Sequence, residues 1–251
     1  IATRYRFAQG GNHAHDLVMQ FNHRTYSLTA DAKAQAPGVS GSDFAFTQAA
    51  LAYVYQRRPE HGLGPYSLNV TAGQTWYGGD PYLKFLRIGG NQKVLLGKNA
   101  AVSFSASGER QIGDAAPDAD ILRADMRFSR RVGKIGTLGL SVGHSDSASV
   151  TDVSDYSEWR SGVDFNLAKP ILGARVSFGL DWRQRDYPRS ALDPSGRADR
   201  EISASLDMVF TGIERFGFNP TLSINASRAE SNVDRYDSEK LGVTFGIRSA
   251  F

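Results

Sequence analysis

The chain alternates apolar and polar residues in segment after segment, and this period of two constrains its fold more than any other feature. Leu222, Ile224 and Ala226, for example, alternate with small polar residues such as Ser223 and Asn225. Successive side chains of a β-strand point to opposite faces of the sheet, so such a segment forms a strand with one apolar and one polar face. The sequence therefore predicts an all-β fold.

The same alternation recurs along almost the whole chain of 251 residues. It is less regular over residues 45–55 and 82–96, where both faces mix, and residues 1–7 alternate again. The apolar series of the regular segments are Leu17, Met19 and Phe21; Leu68, Val70 and Ala72; Val102, Phe104 and Ala106; Leu122, Ala124, Met126 and Phe128; Leu138, Leu140 and Val142; Trp159, Val163, Phe165 and Leu167; Val176, Phe178, Leu180 and Trp182; Ile202, Ala204, Leu206, Met208 and Phe210; Pro220, Leu222, Ile224 and Ala226; and Leu241, Val243, Phe245 and Ile247.

These segments amount to about thirteen strands, and bacterial single-chain barrels have even numbers of strands. Either one strand precedes Ile1, which gives fourteen, or residues 1–7 form a linker, which gives twelve. We favour fourteen. The predicted fold is a transmembrane antiparallel up-and-down β-barrel that forms a single domain over residues 1–251.

The composition of the polar face distinguishes a membrane barrel from a soluble one. A soluble sandwich or barrel exposes large charged residues on its outer face. Here the polar face is rich in glycine and serine with charges of both signs, as expected where side chains converge around a water-filled lumen. Aromatic residues near the strand ends are typical of the girdles at the two membrane interfaces; they are Tyr66, Trp76, Trp159, Trp182 and Phe251.

The connections between segments suggest how the barrel is oriented. Tight connections at 131–136, 168–173 and 211–217 alternate with long polar ones at 113–120, 144–155, 188–199 and 230–239. Short turns are typical of the periplasmic rim and long loops of the outside. The chain is therefore expected in the bacterial outer membrane with its C-terminus in the periplasm. Phe251 resembles the terminal aromatic signal that the barrel insertion machinery reads, so this machinery and the outer-membrane lipids are expected partners.

The composition excludes several other classes of protein. The chain contains no cysteine, which removes disulfides and thiolate metal sites. Its 29 basic and 26 acidic residues are interspersed, without the basic stripe of a nucleic-acid-binding protein. Nucleic acid is therefore not an expected partner.

The histidines provide the weak candidates for catalysis or metal binding. His144, Ser145 and Asp146 have the residue types of a hydrolase site, but adjacent residues of a strand face opposite ways and the stretch 143–152 looks like a loop. His13 and His15 share a face without a third ligand, and His23 and His61 lie near turns or strand ends. We therefore expect no enzymatic activity, no cofactor and no metal.

The charged residues of the polar face are the candidate functional residues. They are expected to form cross-strand ion pairs that line or plug the lumen, as structural pairs or as determinants of selectivity. The candidates are Arg123, Asp125, Arg127, Glu158, Arg160, Asp164, Arg175, Asp181, Glu201 and Asp207.

The C-terminal sequence GFNPTLSINASRAESNVDRYDSEKLGVTFGIRSAF resembles the corresponding end of the surface lipoprotein assembly modifier (Slam) family. The resemblance depends on Gly217, Pro220, the pair Ser231-Asn232, Tyr236 and Phe251, which follow the passage containing Tyr187, Arg197 and Asp199. It implies a fourteen-stranded barrel behind an N-terminal periplasmic helical-repeat domain, and a client lipoprotein moved to the cell surface. The alternative function is that of a passive diffusion or polysaccharide-export pore.

Overall fold

The structure is a computed structural model that describes residues 2–27, 30, 34, 38–59, 64–193, 195–214 and 217–249. Ile1, His61 and Phe251 lie outside the described residues. No helix in these ranges is long and apolar enough to cross a membrane. The strands are β1 (Ala2–Gly10), β2 (His13–Arg24), β3 (Phe46–Arg57), β4 (Tyr66–Tyr77), β5 (Asp80–Leu95), β6 (Ala100–Gly113), β7 (Ala119–Val132), β8 (Gly136–Ser149), β9 (Tyr156–Leu167), β10 (Ala174–Tyr187), β11 (Arg197–Phe210), β12 (Phe218–Ser231) and β13 (Ser238–Ser249).

Each strand pairs with the next along the chain, so the fold is an all-β antiparallel up-and-down sheet in the order β1 to β13. The count of thirteen in the described residues differs from both predicted numbers, fourteen and twelve. Twelve is wrong because Ala2–Gly10 is a strand whose backbone pairs with β2. Within the described residues, β1 and β13 each have one neighbouring strand.

The chain divides into two compact units, which are described separately below. The first contains Ile1–Gln92, Ser105–Leu122 and Ser147–Thr151. The second contains Lys93–Phe104, Arg123–Asp146 and Asp152–Phe251. The prediction of a single domain over residues 1–251 stays a prediction.

The alternation of the sequence appears directly as two faces of the sheet. We call the face that carries Leu180 and Ile202 the apolar face and the face that carries Arg183 and Glu201 the polar face. Large apolar side chains on the apolar face are open to the surroundings: Leu180 is 55% exposed, Ile202 57% and Phe245 80%. A sheet that exposes this much apolar surface needs an apolar partner or solvent.

The predicted difference between long and tight connections is largely wrong. Strands β7, β11 and β13 begin, and β8 and β12 end, inside segments that we predicted as loops. Connections 114–118, 150–155 and 232–237 contain five or six residues, about as many as 168–173 and 211–217. Only 188–196, with nine residues, and 133–135, with three, follow the predicted difference in the second unit. Cross-strand backbone hydrogen bonds continue through the polar residues at these strand ends, so polarity alone did not mark the ends of the strands.

Residues 143–149 illustrate this extension of the strands. The stretch that we predicted as a loop continues β8 as far as Ser149, and only 150–155 connect it to β9. Ser145 and Ser147 are buried while Asp146 is exposed, as the period of two requires.

Candidate functional site

Glu158 is the centre of a charged network on the polar face of the second unit. Its side chain is 5% exposed and lies within ion-pair distance of three arginines. Arg185 Nε donates a hydrogen bond to Glu158 Oε2 over 2.7 Å, and Arg160 Nε lies 3.5 Å from Oε1. Arg183 Nε lies 3.9 Å from Oε2. One buried carboxylate therefore joins cations from two neighbouring strands, β9 and β10.

The strand register explains why this carboxylate is needed. Arg160 and Arg183 are directly opposite each other in the β9–β10 ladder, and Glu158 is opposite Arg185. Like charges at directly opposite positions repel each other. Glu158 contacts both arginines of the opposed pair, and Arg183 also pairs with Glu201, its direct partner on β11.

The network extends from Arg160 towards β7. Arg160 Nη2 donates to Asp125 Oδ1 over 3.0 Å, and Arg127 pairs with Asp164. Gly143 and Gly139 on β8 make room for these pairs, because a Cβ atom at Gly143 would collide with Asp125, and one at Gly139 with Arg127 and Asp164. Glycine on the middle strand thus lets charged side chains from the two flanking strands meet across it.

The remaining candidates are placed differently by the structure. Asp207 accepts a hydrogen bond from Ser223 Oγ over 2.6 Å. Asp181 lies against Gly162 and lines a polar cavity of about 350 Å³ together with Asp125, Arg160, Arg183 and Glu201. Asp181 and Arg175 form no ion pair within the described part of the chain. Arg123 lies on β7 two residues before Asp125.

The first unit has buried carboxylates that the sequence analysis did not select. Asp16 is fully buried and accepts hydrogen bonds from Arg6 Nε (2.8 Å) and Nη2 (3.3 Å). Glu109 accepts from Arg87 Nε over 2.6 Å. Arg6 lies in the alternating segment 1–7, but neither Arg6 nor Asp16 was among the candidate residues, so the pair was missed.

A second group of polar and aromatic residues lies where β10 ends and β11 begins. The guanidinium carbon of Arg197 is 3.7 Å from the ring centroid of Tyr187 and 3.9 Å from that of Tyr236. Arg197 Nε is 3.2 Å from Asp199 Oδ2. We call Tyr187, Arg197, Asp199 and Tyr236, with Asn232, the rim cluster. Its members come from two strands and from the β12–β13 connection, and all are residues on which the Slam resemblance depends.

Hydrogen bonds fix the loops around the rim cluster. Asn232 Oδ1 accepts from the backbone N–H of Ala198 over 2.8 Å, and its Nδ2 donates to the carbonyl of Gly196 over 3.2 Å. In the β10–β11 loop, Ser195 donates from its hydroxyl and its backbone N–H to Asp193, which lowers the pKa of that carboxyl from its ordinary value. The Asn232 side chain thus links the β12–β13 connection to the start of β11 through hydrogen bonds.

Among the described histidines, His144, His13 and His15 have contacts that can be compared with the sequence candidates. His144 Nε2 lies 2.8 Å from Asp146 Oδ2 and the His144 ring packs on Trp159, with the centroids 4.4 Å apart. Ser145, between them in sequence, is buried and belongs to the opposite face. His13 and His15 are in edge contact, and the described residues contain no group of three or more potential metal ligands.

Comparisons with known proteins identify the fold. No protein-family model and no curated protein sequence matches the chain. Among solved structures, Pseudomonas aeruginosa OpdQ is similar with a TM-score of 0.52 and 13% identity, over 99% of this chain and 71% of that one. The siderophore receptor PirA from Pseudomonas aeruginosa is similar with a TM-score of 0.50 and 12% identity, over 96% of this chain. The chain spans 42% of the PirA chain, less than half its length. The sheet therefore has the fold of outer-membrane β-barrels.

Proposed function

We propose that this chain is the transmembrane barrel of an outer-membrane transporter that moves client proteins, surface lipoproteins among them, to the cell surface. The apolar face contacts lipid, and the polar face lines the lumen of a barrel whose C-terminus lies in the periplasm. Exposed apolar residues on alternate positions support this arrangement, because a membrane barrel turns its apolar band to the hydrocarbon.

The observation that carries the proposal is the network around Glu158. Charged side chains from β7, β9, β10 and β11 are joined through Asp125, Arg160, Glu158, Arg183 and Glu201. In a barrel whose polar face is internal, side chains fixed in this way narrow the channel. A narrowed resting channel favours a transporter that opens for its client over a permanently open pore.

The rim cluster supports the choice of client. Residues that carry the resemblance to the lipoprotein assembly modifiers are separated by up to about fifty positions in the sequence, yet they form one connected group. Similar residues that lie together in the structure are a stronger reason to expect a shared function than scattered ones, although the fold alone does not determine function.

A passive diffusion or polysaccharide-export pore is the second candidate. The observation that favours it is the polar cavity of about 350 Å³ beside Asp181, which is large enough for a small hydrophilic solute. In this alternative the charged network would select solutes rather than close the channel.

Two measurements on the full protein separate these functions. We expect small or unstable currents from the purified barrel in planar bilayers, because the paired charges obstruct ion flow. In cells, co-expression with a surface lipoprotein should make that lipoprotein accessible to external protease. Large, steady, ohmic conductance combined with no exposure of the client would refute the proposal and favour the diffusion pore.

The variant Glu158→Gln tests the role of the network in the same bilayer experiment. Removing one negative charge from among three arginines should increase the current and shift the reversal potential towards anion selectivity. Asp152→Asn is the matched control, because Asp152 pairs with Arg189 in exposed loops at the same end of the strands. The control should conduct like the wild type, and equal currents from all three proteins would mean that the network does not control the channel.

A further inference from the structure

Arg197 of the rim cluster is held in an unusual environment. Its guanidinium carbon lies over two tyrosine rings, 3.7 Å from the centroid of Tyr187 and 3.9 Å from that of Tyr236, and its side chain is 14% exposed. Stacking on aromatic faces uses the plane of the group and leaves its N–H donors, which point outwards within that plane, available for hydrogen bonds. The two rings therefore fix the direction in which these donors point.

The donors of Arg197 are not satisfied within the described part of the chain. Its Nε is buried without a hydrogen bond, and its one ion pair there is with Asp199 at 3.2 Å. Asp199 Oδ1 is also buried without a hydrogen-bond partner. Buried polar groups in native proteins normally have partners, so a mostly buried guanidinium with unused donors calls for an acceptor.

Arg185 provides a comparison on the neighbouring strand. Its guanidinium also stacks on a tyrosine, 4.4 Å from the Tyr156 centroid. It donates, however, to Glu158 over 2.7 Å and to the Tyr187 hydroxyl over 3.2 Å. Within the described residues, Arg185 is thus a stacked arginine that donates hydrogen bonds, whereas Arg197 is a stacked arginine that has an ion pair with Asp199 and no hydrogen bond.

We propose that Arg197 binds a carboxylate of an acidic peptide segment of the client. A carboxylate accepts two parallel hydrogen bonds from a guanidinium, and such bonds are strong where little water is present. The stacked rings hold the guanidinium in advance, which lowers the entropy lost on binding. The carboxylate of Asp199, which pairs with Arg197, competes with the peptide carboxylate for the same guanidinium. The identity of the ligand rests on the proposed function, whereas binding itself is measured on the isolated barrel.

The first experiment is calorimetric titration of the detergent-folded barrel with triglutamate peptide. Wild-type protein should bind it, and triglutamine, which lacks the side-chain carboxylates, should bind much more weakly. Arg197→Gln should weaken triglutamate binding at least about tenfold, the effect of losing about 1.4 kcal/mol. Arg197→Lys should keep part of the affinity because it retains the charge without the paired donors. Arg189→Gln, an exposed arginine of the β10–β11 loop, should bind like the wild type.

Asp199→Asn distinguishes a binding role from a structural one. If the carboxylate of Asp199 competes with the peptide for Arg197, its removal should tighten triglutamate binding several-fold. If Arg197 only stabilised the loops, Asp199→Asn would not bind triglutamate more tightly than the wild type. Unchanged or weaker binding by Asp199→Asn would therefore overturn the proposal, as would unchanged binding by Arg197→Gln.

Controls for folding and for ligand chemistry complete the test. Heat-modifiable migration in gels shows whether each variant is folded, and if Arg197→Gln is not, Arg197→Lys and Asp199→Asn decide the question. Inorganic phosphate forms a separate arm, and phosphate binding without triglutamate binding would overturn the assignment to an acidic peptide. Failure to bind the peptide in a protein that exports its client refutes this inference alone. Binding without export refutes the proposed function alone.

Discussion

A carboxylate that is almost fully buried on the polar face needs cations around it, and Glu158 has three. Asp16 in the first unit has the same arrangement with Arg6 and Arg4. Such pairs do not guarantee stability, because removing charges from water is costly, but breaking one by deleting a single partner leaves the other partners uncompensated. Each of these acids neutralises arginines that lie close to one another. The arginines are on one strand around Asp16 and on two neighbouring strands around Glu158.

Glu158→Gln should lower the free energy of unfolding by about 2 kcal/mol, which is less than the roughly 3 to 5 kcal/mol of a fully buried pair because the three arginines stay partly exposed. Urea titration of the detergent-folded protein measures it. Asp152→Asn should change the same quantity by less than about 1 kcal/mol, since its ion pair is exposed on both sides. Equal effects of the two substitutions would mean that Glu158 is not the centre of the network.

The sequence predicted which residues carry charge on the polar face, but not which of them meet. Partners across a ladder depend on register, and the period of two leaves register open in steps of two residues. Asp125 and Arg160 were predicted and do pair, although β8 lies between their strands. Arg183 was not among the candidate residues, because its bridging position depends on Glu158 being opposite Arg185.

A strand of this sheet needs glycine where a large side chain of the neighbouring strand packs directly against its backbone. Gly73 on β4 is the direct partner of Phe85 on β5, and the Phe85 ring is buried against it. A Cβ atom at Gly73 would lie 2.5 Å from Phe85 Cζ and 2.7 Å from the carbonyl oxygen of Ala49. The irregular pattern over residues 82–96 has its explanation here, because Phe85 is an aromatic residue on the polar face.

Gly73→Ala should therefore destabilise the protein by about 1 to 3 kcal/mol, the usual range for overpacking, because neither the ring nor the backbone carbonyl can move freely. Gly242→Ala is the control on the polar face of β13, where the nearest atom is 4.0 Å from the added carbon. Its midpoint in urea should stay close to that of the wild type. A midpoint for Gly73→Ala that matches the control would show that the ring does not depend on the glycine.

The existence of strands was predictable from the period of two, whereas their lengths were not. Polar residues at 144–149 and 197–199 look like loop in the sequence but extend β8 and β11. At the end of a strand, beyond its apolar residues, the strand can continue with polar residues, because its backbone hydrogen bonds do not depend on the polarity of the side chains. The sequence signal for a strand therefore fades before the strand itself ends.

At the level of the whole molecule, the apolar face is expected to determine stability in the membrane, whereas the C-terminal residue is expected to determine delivery to the membrane. Deleting Phe251 should sharply lower the amount of heat-modifiable barrel in outer-membrane fractions, because the terminal aromatic is the residue that we expect the insertion machinery to read. Phe251→Tyr keeps an aromatic ring and should insert normally. Wild-type levels of the deletion variant in the membrane would exclude a signal role.

The orientation of the sheet towards lipid can be tested at one depth with one pair of variants. Leu180 is on the apolar face of β10, opposite Ala204, and Ser205 is the next residue of β11 on the polar face. An arginine facing hydrocarbon near the middle of a membrane strand costs about 2 to 4 kcal/mol, so Leu180→Arg should lower the free energy of unfolding by this amount. Ser205→Arg places the same charge at the same depth on the polar face, beside Gly179 and near the Asp181 carboxylate, and should cost much less. Urea titration in lipid vesicles compares the two, and the reverse order would mean that the polar face, not the apolar one, meets the membrane.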